Sequence, residues 1–320
     1  MIEVIPYTPA WKNQWDAFVL GSNNGTMFHL QKFFDYHPEG RFPFHHLMFM
    51  ERNKIIAVLP GGIRNGVFDS PMGASYGSIV TPDIKFSGHI ALVDALLDWG
   101  KLNGVREFFL TAAPMIYEQY QNQSLEFALL WRGFHYDVHY ISSAIKLDPQ
   151  RDLLERFQRT VKRNVKNSFN DLDISIELNE DYEGFYPILL ENKAKHDAKP
   201  THSLQDLYKL KELMPERLKL FMMYYKGQPI AGSLMFVANP QVFLCFYIMM
   251  KYEYKHLHPV NRLMYEIGLW ATRAGYQYID IGVSQDTKAE NPMTPSYSLI
   301  EYKENFDAKT IMRNTLHIKL

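Results

Sequence analysis

Two stretches of the chain order their apolar positions in the same way. Leu92, Leu96 and Trp99, and again Leu263, Ile267 and Trp270, are spaced by four and then three. That spacing places them on one face of a helix. Each stretch ends at a glycine, Gly104 or Gly275, the residue best suited to the left-handed position that closes a helix. After each glycine comes a short run with strand character, "VREFFL" in the first case and "YQYIDI" in the second. Upstream, "NKIIAV" and "GQPIAG" each read as a turn entering a strand. Both halves are therefore predicted to run strand, strand, helix, strand, and the chain reads as an internal duplication.

The rest of the pattern fills in around these units. "FHHLMFMERNKIIAVLPGGI" predicts a hairpin turning at Arg52–Asn53, and the alternating "FHYDVHYISSAIKL" predicts a strand that closes the first half. "FMMYYKGQPIAGSLMFVANPQVFLCFYIMM" predicts three antiparallel strands joined at Lys226–Gly227 and Asn239–Pro240. Long helices are expected over Tyr182–His196 and Ser203–Leu213. Pro149 and one basic helix, residues 150–169, mark the boundary between a first domain at 1–148 and a second at 149–320. The fold class is α+β, with two mixed, mostly antiparallel sheets flanked by helices.

Composition narrows the function classes. Of the 320 residues, 47% are hydrophobic, enough for packed cores. The net charge of −1 gives no overall attraction to DNA or to an anionic membrane. One cysteine, Cys245, supplies neither an internal disulfide nor a zinc-ligand set. The start lacks the basic and apolar regions of a signal peptide. The longest apolar run, "VFLCFYIMM", is too short to cross a bilayer and reads as a buried strand. A soluble, cytoplasmic protein is expected.

Few residues carry chemistry on their own. The helix "RDLLERFQRTVKRNVKNSF" sets Leu154, Phe157, Val161 and Val165 on one face. Arg156, Arg159, Arg163 and Lys166 lie on another, with Lys162 beside them. Such a cationic stripe suits a phosphate, which arginine grips through two bonds, or simply a solvated face. The second duplicated strand ends in "YIDIGVSQ", where Asp280 and Ser284 stand ready to orient a substrate or take a proton. The position equivalent to Asp280 in the first copy is Phe109, so the first strand end has lost that polar group. No cluster of histidines and carboxylates has metal spacing. "PGGIRNG" matches no phosphate-binding loop, no GxSxG elbow is present, and Cys245 sits in an apolar strand. What remains is direct transfer without a covalent enzyme intermediate.

Taken in order, these segments resemble the FemAB-like branch of the GNAT superfamily, peptidyltransferases and acetyltransferase-like proteins. "MFHLQKFFDYHP" is similar to its N-terminal aromatic helix. "RTVKRNVKNS" is similar to its basic helix, and "HDAKPTHSLQDLYKL" with "GQPIAGSLMF" to its middle segment. "YIDIGVS" resembles its D-F-G-x-S strand end, with Ile281 in place of Phe. "LIEYKENF" resembles its closing F-K-E-x-F helix, with Tyr302 for the first Phe. The resemblance implies two tandem GNAT-like domains and an N-acyltransferase that moves an acyl or aminoacyl group to an amine. The acceptor would be a small or peptide-like amine, phosphorylated or related to a cell-wall precursor. Lys303, at the position of the closing-helix lysine, is implied in catalysis together with Asp280. Arg159, Lys162, Arg163, Ser284 and Asn261 are implied in substrate binding.

The sequence departs from ordinary GNAT proteins at the turn that seats the coenzyme A pyrophosphate. Here that turn reads "HLHPVN", with Pro259 and Asn261 in place of glycines, and proline donates no N–H. Acetyl-CoA or another acyl-CoA is thus expected as a co-substrate at most, not as a tightly bound cofactor. The donor stays open between a thioester and an aminoacyl-tRNA, and the neutral charge does not favour tRNA. The degenerate turn also leaves open a non-catalytic, GNAT-like ligand-binding module.

Overall fold

The computed structural model describes residues 2–195 and 197–320. It divides into two compact units. The first comprises the chain through Tyr140, Asn291–Met293 and Met312–Leu320, and the second comprises Ile141–Glu290 and Thr294–Ile311.

The first unit opens with β1 (Glu3–Pro6), α1 (Lys12–Leu20) and α2 (Gln31–Phe34). The hairpin of β2 (Leu47–Glu51) and β3 (Lys54–Leu59) turns at Arg52 and Asn53, as expected. Both residues are left-handed, the conformation whose twist matches that of the flanking strands. β1, β2 and β3 make one three-stranded sheet. A second sheet contains β4 (Gly62–Arg64), β5 (Val67–Ser70) and β6 (Glu107–Thr111). α3 (Phe86–Leu102) crosses between β5 and β6, which pair in parallel over Val67–Ser70 and Glu107–Leu110. Leu92, Leu96 and Trp99 of α3 join Phe68, Phe108 and Leu110 in the core of this unit. α4 (Ser124–Trp131) packs on α3 and leads into β7 (His135–Lys146).

The division between the units falls inside β7 and not in the Pro149 loop. Beyond β7 the basic stretch forms two helices where one was expected, α5 (Leu153–Arg156) and α6 (Arg159–Ser168). Phe157 and Gln158 between them are extended. The Gln158 N–H leaves the helical ladder for the Asn305 carbonyl, and Phe157 buries its ring edge-on against Phe306. A tertiary contact thus outweighs a helical pattern that runs through the break.

The second unit continues with β8 (Ile174–Asn179), α7 (Tyr182–Ala194) and α8 (Leu204–Leu213). His196, the last residue of the first helix expected here, lies outside the described residues. β9 (Leu218–Tyr225), β10 (Gln228–Val237) and β11 (Val242–Met250) form the expected antiparallel trio, turning at Lys226–Gly227 and around Asn239–Pro240. α9 (Pro259–Arg273) then crosses to β12 (Tyr278–Val283), which pairs in parallel with β11. On its other edge β12 pairs antiparallel with β7, between Ser142 and Lys146. α10 (Tyr297–Glu304) comes next, and β13 (Lys309–Lys319) is the last strand.

Residues 315–319 of β13 pair antiparallel with β6, and Met312–Leu320 belong to the first unit. An all-C-terminal second domain running to residue 320 is corrected accordingly. The duplication itself is visible in β5–α3–β6 and β11–α9–β12. Gly104 (φ +70°) and Gly275 (φ +86°) occupy the left-handed position after each helix, where a side chain is strained.

Candidate active site

β11 and β12 begin as partners and then part. Their pairing covers Val242–Tyr278, Phe243–Ile279 and Leu244–Asp280 and goes no further. Two local features separate them. In β11, Phe246 has no opposite number in β10, because Met235 faces Cys245 and Leu234 faces Tyr247. Such a bulge bends its strand. In β12 the register against β7 shifts after Asp280, and Gly282 turns left-handed at φ +76°. The resulting fork holds a cleft of about 320 Å³. "VFLCFYIMM" is therefore a buried strand only in its first half, since Cys245, Phe246 and Ile248–Met250 are half-exposed.

The cleft is walled by β11 and β12, by Val260 and Met264 of α9, and by Leu299, Tyr302, Lys303 and Phe306 from α10 and the residues after it. Lys193 of α7 reaches it as well. Lys303 is only 7% exposed. Its ammonium donates to the Gly282 carbonyl at 2.7 Å and the Val283 carbonyl at 2.9 Å. An ammonium has three donors, so one is left for a ligand in the cleft. Burial pushes Lys303 down to about 8, partly opposed by the charge of Asp280 and by Cys245. The Cys245 thiol is pushed up to about 11, chiefly by desolvation. At neutral pH it is a thiol and a poor nucleophile.

Asp280 is fully buried and does not line the cleft. Its Oδ1 accepts from the Gly282 N–H at 2.8 Å and from the Ser142 hydroxyl at 3.2 Å. The first bond closes a turn that holds Gly282 in its left-handed conformation. Gly282 and Val283 in turn present their carbonyls to Lys303. Burial and these two bonds fit Asp280 to holding the turn. Ser284 is also fully buried. Its amide donates to the Ile141 carbonyl, and its hydroxyl has no partner among the described residues.

The cationic stripe lies apart from the cleft lining. Arg159 and Arg163 are exposed on α6, and Lys162 is paired with Glu155 at 2.6 Å. Arg163 lies close enough to His258 to help lower its pKa, after desolvation. His258 is the left-handed residue at the start of α9. Asn261 is half-buried in the first turn of that helix, where its N–H and that of Arg262 both turn back to the His258 carbonyl. Among the described residues no group of three or more histidines, cysteines or carboxylates is placed to hold a metal ion. Among them, too, no helix is long and apolar enough to cross a membrane.

Sequence reasoning singled out Lys303 and Asp280 but not Ser142 or Lys193. Ser142 stands beside Ser143 near the end of β7, a polar pair in the strand that pairs with β12. Lys193 carries no signal of its own, because a lysine near a helix end is ordinary. At the first-copy strand end, Phe109 stacks on His317 at 4.1 Å, and His317 in turn contacts Glu107 at 2.9 Å.

Residues 155–304 match the family model described as "Acetyltransferase (GNAT) domain". No curated protein matches the sequence. Among solved structures, FemX is similar over 99% of this chain and 97% of its own, with a TM-score of 0.72 and 12% identity. A tandem GNAT protein from the clavulanic acid biosynthesis pathway is similar over 100% of this chain and 98% of its own, with a TM-score of 0.55 and 10% identity. L-PGS from Bacillus licheniformis is similar over 87% and 84%, with a TM-score of 0.57 and 8% identity. At such identities the likeness is one of fold. Residues 155–304 match a GNAT acetyltransferase domain, and the chain shares its fold with FemX and with the tandem GNAT protein.

Proposed function

We propose that the protein is an N-acyltransferase whose reaction takes place in the fork between β11 and β12. The acceptor amine attacks the donor's carbonyl carbon. A C–N bond forms, the bond to the leaving oxygen or sulfur breaks, and the amine's proton leaves with that group or passes to water. The buried ammonium of Lys303 is the observation that carries this reading. Two carbonyls fix it and one donor is left over, in a largely apolar cleft where a charge acts strongly on a developing oxyanion or leaving group. Asp280 and Ser142 hold the turn beneath it. Phosphates of the donor or acceptor are assigned to Arg163, with Arg159 one turn before it on α6 and Asn261 in the first turn of α9. The test is incubation with a panel of acyl-CoA thioesters and aminoacyl-tRNAs plus simple amines, reading the new amide by mass spectrometry. Loss of that product in Lys303→Met, with ligand binding kept, supports the reading. Unchanged turnover overturns the role of Lys303.

One observation favours a second reading, a ligand-binding module without turnover. The start of α9 has Pro259 at its first position, and the Asn261 and Arg262 amides turn back to the His258 carbonyl, so few donors remain for a pyrophosphate. Tight binding of an acyl-CoA with no amide product from any amine would favour this reading.

A further inference from the structure

We propose that the substrate occupying the fork is a largely apolar molecule carrying a negative charge, and that Lys193 is the residue that reads that charge. The inference rests on the reading of the fork as the substrate cleft. The cleft lining is dominated by aliphatic and aromatic side chains, and among the described residues its only charged members are Lys193 and Lys303, with no carboxylate. The two lysines are not equivalent. Lys303 is neutralised in part by two backbone carbonyls at hydrogen-bond distance. Lys193 is half-buried and pairs with no carboxylate among the described residues, while its neighbours Glu191 and Lys195 pair with each other. The Lys193 ammonium lies 5.7 Å from the centroid of the Tyr247 ring, a cation–π contact weaker than a counter-charge.

A cation held at the wall of an apolar cleft is costly unless something answers it. An anion entering this cleft meets one cation already engaged and one that is not. A carboxylate or a phosphate ester would be drawn to Lys193, with its apolar body against Phe246, Met249, Ile281 and Val283. A cationic or neutral analogue of the same shape would gain only the apolar contacts. Lys303 would then serve the reacting carbonyl and Lys193 the identity of the molecule.

The experiment measures binding by calorimetry, without any donor, for three probes of similar size: 3-phenylpropionate, phenyl phosphate and the neutral 3-phenylpropanamide. At least one anion should bind the wild-type protein about tenfold tighter than the amide. The carboxylate and phosphate arms show which anion is read. Lys193→Met should abolish the preference while leaving the amide's affinity unchanged, and Lys193→Arg should keep most of it. A thermal melt of each variant shows that it is folded. Equal binding of the anions and the amide overturns the proposal, as does failure of both anions to bind. So does a preference that survives in Lys193→Met or disappears only in Lys303→Met. Because no donor is present, the absence of acyl transfer leaves this result standing. Turnover of a neutral acceptor without anion preference would sink this proposal and leave the acyltransferase reading intact.

Discussion

The two copies of the helix–glycine–strand unit end differently, and the difference shows how one strand end opens while the other is filled. In the first, β5 and β6 pair in parallel until β5 ends, and Phe109 stacks on a histidine. In the second, β11 and β12 separate after three paired residues, and Asp280 replaces the aromatic ring. The carboxylate is buried and bonded to the turn that follows it. It holds a left-handed Gly282, the glycine turns two carbonyls toward Lys303, and the strands stand open above them. An aromatic side chain at that position can fill space but cannot hold the turn.

The hardest test of this contrast gives the second copy the residue of the first. Asp280→Phe should destabilise the protein by more than about 4 kcal/mol, since it overfills a packed position and strands the Gly282 N–H. Urea denaturation measures it. Asp280→Asn, close in size, should fold and should lower turnover more than acceptor affinity. Next in size, Lys303→Met should reduce kcat on the order of 100-fold, with little change in acceptor KM, if the ammonium acts on the transition state.

A pH profile sharpens the same point. Lys303 titrates at about 8, so the rate with a pre-deprotonated acceptor should fall as pH rises through 8, and Lys303→Arg should remove that limb. Stability should move the other way. The ordinary value of 10.5 lies above the folded value, so between about 8 and 10.5 the unfolded chain holds more protons. Stability therefore rises with pH across that window, and Lys303→Met should flatten the rise. The smallest effect tests what the copies share. Gly104→Ala and Gly275→Ala should each cost about 1 kcal/mol, because both sit at positive φ with open space around the missing Cβ. Unequal costs in denaturant would mean that the two turns are not the same device.

Much of the fold was legible from short-range pattern. Apolar spacing predicted α3 and α9, their glycines marked the helix ends, and the hairpins turned where the sequence placed them. The pattern failed where a distant group intervened. The basic stretch looked like one helix until the Asn305 carbonyl took the Gln158 N–H. The last strand looked like part of the second domain until β6 took it. Asp280 was legible as a candidate from the polar end of its strand, whereas the role expected of Lys303 came only from family resemblance.

By itself the sequence determined the repeated unit, its turns and the residues of its core, because helix periodicity, strand alternation and left-handed glycines act over a few residues. Only the tertiary structure decided where β11 and β12 part, which carbonyls receive Lys303, and that Ser142 lies against Asp280. These arrangements join residues far apart in the chain. The low pKa of Lys303 likewise arises from burial, which exists only once the chain has folded around it.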